Sequence, residues 1–182
     1  ERLVAIDTSF KEINNLDYDV FALNASFESS NWVIKLVNLK DDNTLHEWRL
    51  SDENYNNPNR VFSHSDPRMP ILLSDTSIVI HNDESMNLYR LDAKSNIIWH
   101  NTDYKYHHSI NQDFDENIWA CSKELLKIPS AGISYLDDYL TKIDVKTGKV
   151  LFHKSLSELL IENDLSYLIF GLSNIIADKG QD

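Results

Sequence analysis

Three stretches of the sequence carry one pattern. Residues 33–48, 88–99 and 140–152 each read as a strand with alternating apolar residues, a polar turn, and a second strand closed by an aromatic side chain. Alternation with period two places the apolar set on one face of a strand. Leu39, Leu91 and Ile143 recur at a spacing of 52, and Trp48, Trp99 and Phe152 at spacings of 51 and 53. A hairpin returning at such a period is the mark of a propeller blade or a related β-repeat. The expected fold class is therefore all-β, a β-propeller of about three to four blades in this chain.

Two further hairpins lie between these. Residues 72–80 match residues 112–120 at an offset of 40, each a short strand, a tight Asp/Ser/Asn turn and an apolar strand. Two hairpins per unit give four strands, the number in a blade. The second unit holds about 12 extra residues by this alignment. They fall in residues 123–136, where Pro129 and Gly132 suggest an inter-strand loop. Residues 51–59 read as a polar loop joining units. Ser155-Leu-Ser-Glu158 fits a capping box ahead of Leu156, Leu159, Leu160 and Leu168, so a helical insertion is expected within residues 155–170. Residues 1–182 read as one domain. Three units cannot close a ring, so the chain is expected to be part of a propeller completed by other residues.

Charge narrows the function. Asp and Glu total 29 against 17 Lys and Arg, a net charge of −12. Nucleic acids and anionic membrane surfaces both require a basic face, so both are disfavoured as partners. No apolar run approaches the ~18 residues that would span a bilayer. Cys121 is the sole cysteine, which excludes an intrachain disulfide and a cysteine zinc cluster. Its setting, Asn-Ile-Trp-Ala-Cys121, reads as a buried strand and an inert thiol. The chain begins at Glu1 rather than Met, which leaves an upstream leader or anchor open.

Residues 107–119, His-His-Ser-Ile-Asn-Gln-Asp-Phe-Asp-Glu-Asn-Ile-Trp, resemble the bacterial arylsulfotransferase family. Ser109 stands where that family usually has Asp, and Glu116 where it usually has Gly. The hairpin at 140–152 with the following Ser-Leu-Ser-Glu-Leu-Leu160 is similar to it as well, as are residues 32–37 and 45–49; the likeness runs over roughly residues 20 to 182. The resemblance implies a six-bladed propeller with its active site at the central channel. It implies sulfuryl transfer from a phenolic sulfate donor to a phenol acceptor, with no cofactor. A histidine nucleophile would carry the group, assisted by other His and Arg residues, and would lie downstream of the helical segment, outside this chain. A periplasmic or extracytoplasmic location is implied too.

His108 and His107 are the candidate catalytic residues. Neutral imidazole can attack, and imidazolium can stabilise a leaving phenolate. Neighbours on a strand point to opposite faces, so only one of the pair can face the channel; the resemblance favours His108. Arg68 lies 40 residues before His108 and would reach the same channel, offering a bidentate fork to a sulfate. His64, in the same Pro-stiffened loop, is the second candidate for substrate binding. Asp113, Asp115, Asn117 and Glu124 fit positions 1, 3, 5 and 12 of a calcium loop, but Ile118 occupies the obligatory glycine position, so a hairpin turn is expected and no metal site. Trp48, Trp99 and Phe152 are expected to pack blade on blade, and His46, His100 and His153 to lie on outer strands without a role. A rival reading is a non-catalytic propeller acting as a binding or scaffold module. A quinone-dependent dehydrogenase propeller is disfavoured by the absence of that family's tryptophan pattern.

Overall fold

The structure is a computed structural model in which residues 17–29, 31–50, 67–82, 86–128 and 133–169 are described. Among the described residues, eleven strands form three antiparallel sheets. Sheet 1 holds β1 (Phe21–Glu28), β2 (Asn31–Asn38) and β3 (Asn43–Leu50). Sheet 2 holds β4 (Pro67–Leu72), β5 (Ile78–Asn82), β6 (Leu88–Leu91) and β7 (Ile97–Asn101). Sheet 3 holds β8 (Lys105–Gln112), β9 (Ile118–Ile128), β10 (Ile133–Ile143) and β11 (Val150–Ser155). In every sheet the strands neighbour one another in chain order. The stretches read as hairpins are hairpins, and none of them is helical.

The sheets pack face to face, and β5 shows why its sequence is a continuous apolar run. Every residue of Ile78–Asn82 is buried. Ile78 and Ile80 join Ile34, Trp48, Leu50, Tyr89 and Leu91 in the core between sheets 1 and 2. Val79 turns the other way, to Leu88, Trp99, Ile118 and Ile143 between sheets 2 and 3. A strand covered on both faces has no reason to alternate. Burying each of these side chains contributes about 1.5–3 kcal/mol.

Four tight turns reuse one solution. Thr76, Ser95, Glu116 and Gly148 all take positive φ, at 66°, 68°, 64° and 72°. Asp92, Asp113 and Asp144 begin three of these turns and accept backbone N–H groups from them. This is how a chain so poor in glycine still turns, since Asp side chains mimic a backbone turn.

The helix α1 (Leu156–Glu162) starts where the capping signal placed it. Ser155 Oγ accepts from the Glu158 N–H at 3.0 Å and donates to the buried Asp137 carboxylate at 2.5 Å. The expected 155–170 helix is interrupted, because Asp164 adopts φ 60° and a turn follows Asn163. No helix among the described residues is long and apolar enough to cross a membrane.

Three sequence expectations need correction. Residues 123–136 are not a loop: β9 and β10 stay paired from Ile118↔Ile143 to Ile128↔Ile133, so the extra residues lengthen two strands. Leu39 is not the counterpart of Leu91 and Ile143. Each sheet's last hairpin shifts register once, between Leu36 and Val37, Arg90 and Leu91, and Lys142 and Ile143. That makes Val37, buried, the counterpart, while Leu39 is exposed in a turn. By the same registers Trp99 faces Arg90, Phe152 faces Lys142 and His46 faces Leu36. His46, not Trp48, thus occupies the position of Trp99. A slip of two residues keeps the same face, so alternation alone does not reveal it.

Trp99 does pack sheet on sheet. Its Nε1 donates to the Val145 carbonyl at 2.7 Å across the boundary. His46 Nε2 donates to the Ala93 carbonyl at 2.7 Å in the same manner between sheets 1 and 2. Phe152, the matching position of sheet 3, lies beside Trp119, with no further sheet against it among the described residues.

Candidate functional site

The first strands of the sheets run side by side, β4 against β8 and β1 against β4. Arg68 and Met69 of β4 meet His108 and Ser109 of β8 around a cleft of about 300 Å³. Arg68, Met69 and His108 are all exposed to it. Two residues singled out from the sequence, Arg68 and His108, are therefore brought together although they belong to different sheets. His64 lies outside the described residues.

The local backbone explains the placement. β8 pairs with β9 as His107↔Cys121 and then Ile110↔Ala120, so His108 and Ser109 are extra residues in a bulge. His108 takes φ 59°, a conformation that L-residues reach at a cost of roughly 1–2 kcal/mol. β4 has its own bulge between Arg68 and Ile71, where Met69 takes φ 43°. The 40-residue offset is thus one residue out at this point. Arg68 pairs with His81 and His107 pairs with Cys121, so His107 is the ladder counterpart of Arg68. The bulge, rather than simple alternation, turns His108 to the cleft.

His107 is withdrawn from solvent. It is 4% exposed, packs edge-on to His108 at 4.4 Å between ring centroids, and sets Nε2 3.2 Å from Asp138 Oδ1. Of the two, His108 lines the cleft and His107 does not.

The rest of β8 is tied down residue by residue. Tyr106 is fully buried and its hydroxyl donates to Asn101 Oδ1 at 2.5 Å; burial pushes the phenol's pKa well up, so it stays a donor. His81 Nε2 donates to the His108 carbonyl at 2.8 Å from the neighbouring sheet. The Ser109 N–H points to the Cys121 sulfur, whose pKa is raised by burial first and by Asp138 next. Cys121 is a half-buried, protonated thiol, in line with its reading as inert.

Asp113 is committed to its turn. Its carboxylate accepts from Asn117 N–H at 2.9 Å, Trp119 Nε1 at 3.0 Å and Lys142 Nζ at 2.7 Å. These contacts, the Lys142 one first, hold it below its ordinary carboxylate range. The residues of the calcium template form a hairpin turn.

The sequence reading missed His81 and Asp138. His81 carried a usable signal: a histidine inside the apolar run Ile78-Val-Ile-His81 must find a hydrogen-bond partner once buried. Asp138 carried none, because it lay between the segment taken as a loop, 123–136, and the hairpin read from residue 140.

Arg68 supplies a permanent positive charge with a planar set of donors. His108 adds an imidazole that can donate or accept. Met69 adds an apolar, polarisable wall. Such a cleft can receive an anion attached to an apolar group, against the chain's overall negative charge. The fold defines an all-β protein of stacked antiparallel sheets, with a cleft lined by Arg68, Met69, His108 and Ser109 where the first strands meet.

The family model described as Arylsulfotransferase (ASST) matches residues 69–181. This chain belongs to the arylsulfotransferase family. The match spans Met69, His108 and Ser109 of the cleft, and Arg68 directly adjoins it. Searches among curated proteins and among solved structures found no match.

Proposed function

We propose that this chain is part of an arylsulfotransferase that moves a sulfuryl group from a phenolic sulfate to a phenol, with the cleft between β4 and β8 holding the sulfuryl oxygens. The observation that carries this reading is the convergence of Arg68 and His108 from two sheets on one cleft, in a member of this family. The three meander sheets are blades of a six-bladed propeller, and the line of β1, β4 and β8 borders its channel. The protein works outside the cytoplasm.

In this mechanism Arg68 grips two sulfuryl oxygens through its guanidinium fork. A histidine supplied from outside residues 1–182 attacks sulfur with its neutral nitrogen. The bond between sulfur and the phenolic oxygen breaks, and the electron pair leaves with the phenolate. His108 donates its proton to that oxygen, so the first product leaves as the neutral phenol and His108 is left neutral. An acceptor phenol then gives its proton to His108 as its oxygen attacks the sulfur, and the nitrogen–sulfur bond breaks. Met69 lies against the aromatic ring, a contact that suits a thioether.

The test is release of p-nitrophenol from its sulfate by the complete protein, with and without a phenol acceptor. Release that depends on the acceptor, with one aryl sulfate formed per p-nitrophenol, is expected. No release, or release into water independent of acceptor, contradicts transferase chemistry.

A further inference from the structure

We propose that His81 is the positioning residue of this site, holding the His108 imidazole beside Arg68 by donating a hydrogen bond to the His108 main-chain carbonyl. The proposal rests on the reading of the cleft given above.

The bulge at His108 and Ser109 shifts the β8–β9 register, and the His108 carbonyl there faces a donor from another sheet. His81 supplies it from sheet 2: its Nε2 stands 2.8 Å from the His108 oxygen and the residue is fully buried. A carbonyl partner fixes the proton on Nε2. The face of sheet 2 turned to sheet 3 also carries Val79, Leu88 and Trp99, the amide of Asn101, which donates to the Gly148 carbonyl at 2.8 Å, and the guanidinium of Arg90, which reaches the Val145 carbonyl at 2.8 Å. A buried imidazole needs a hydrogen-bond partner, and the partner of His81 Nε2 is the carbonyl at the bulge. His81 also pairs across the ladder with Arg68. One residue therefore touches both halves of the cleft: the backbone of Arg68 through the sheet, and the backbone of His108 through its ring. The other side of the bulge is held by Cys121, which accepts the Ser109 N–H. With both anchors in place the positive φ of His108 is the conformation of lowest energy; without His81, β8 can relax towards regular pairing and carry the imidazole away.

The test is a double-mutant cycle in the complete protein, read by equilibrium binding of p-nitrophenyl sulfate and by kcat. His81→Leu, which fits the apolar surroundings but cannot donate, is expected to weaken binding and lower kcat by roughly tenfold each, one lost charge-directed contact. His81→Gln, which keeps an N–H donor, is expected to stay within about threefold of wild type. In a His108→Ala background, His81→Leu should add nothing, because the group it positions is gone. Equal losses in His81→Leu and His81→Gln, or full additivity with His108→Ala, would overturn the proposal. If His81→Leu does not fold, His81→Phe keeps the ring volume without the donor and is held to the same outcomes. A wild-type protein that binds the probe without transferring the sulfuryl group would sink the transferase reading while the binding series still decides the role of His81. A wild type that binds no probe would overturn both.

Discussion

The Gly148 backbone lies flat against the Trp99 indole, so that a β-carbon built there would stand 2.7 Å from Trp99 Cδ2. The same indole donates to the Val145 carbonyl, and Asn101 Nδ2 donates to the Gly148 carbonyl at 2.8 Å. One turn thus receives a ring, an indole N–H and an amide from the neighbouring sheet. Gly148 also takes φ 72°, which any side chain would strain. Gly148→Ala is expected to destabilise the protein by about 2–4 kcal/mol, the sum of overpacking and a left-handed backbone. The midpoint of urea unfolding, followed by tryptophan fluorescence, measures this. An unchanged midpoint would mean that sheets 2 and 3 do not meet as described.

Glu116 sits in the β8–β9 turn of sheet 3 at φ 64° without the glycine that this backbone favours. It is exposed, so little is lost with its side chain. Glu116→Gly is expected to stabilise by about 0.5–1 kcal/mol, the relief of left-handed strain less the added chain entropy. The same denaturation curves report the sign.

His153 is sandwiched between Tyr104 and Tyr139, with ring centroids 3.7 and 4.3 Å away. Thr141 Oγ1 meets its Nδ1 at 2.9 Å, and Glu124 stands 3.5 Å from Nε2. Burial dominates and lowers its pKa, with Glu124 pulling the other way. Below pH ~6.5 the unfolded chain therefore takes up the proton more readily than the folded one. Stability from this residue is present above that pH and is lost as pH falls towards the folded value. His153→Phe keeps the stack and should flatten the stability profile just below pH 6.5. The later loss near pH 4 and under, where the lowered carboxylates of Asp75, Asp92, Asp113 and Asp144 take up protons, should persist. An unaltered slope below pH 6.5 would contradict the assignment.

Met69 should matter for the arene and not for the sulfuryl group. Met69→Ala is expected to raise KM for an aryl sulfate by roughly two- to tenfold with little change in kcat, the scale of a thioether–aromatic contact. Steady-state kinetics separate the two. A fall in kcat alone would place Met69 elsewhere in the mechanism.

Strand identity was legible in the sequence because alternation and Asp-rich turns are local signals. The boundary packing was half legible: Trp99 stood out as an aromatic, whereas His46, in the same position of sheet 1, did not look like its counterpart. The long β9–β10 hairpin was missed because Pro129 and Gly132 mark a turn without saying how far pairing extends on either side. The site was legible as residue types and an offset. What escaped was the pair of unequal bulges, which depend on partners in another sheet. His81 acts through such a partner, 27 residues away in sequence.

The central claim is that His108 and Arg68 act together on a sulfuryl group while His107 supports the fold. The most direct measurement is acceptor-dependent sulfuryl transfer from p-nitrophenyl sulfate by the complete protein carrying His108→Ala or His107→Gln. His108→Ala should lower kcat/KM by about 10²-fold or more, the scale of an acid–base or charge-stabilising group. His107→Gln, turned to Asp138 and away from the cleft, should lower it far less. Equal and small effects of the two substitutions in an active enzyme would contradict the account and make the pair structural.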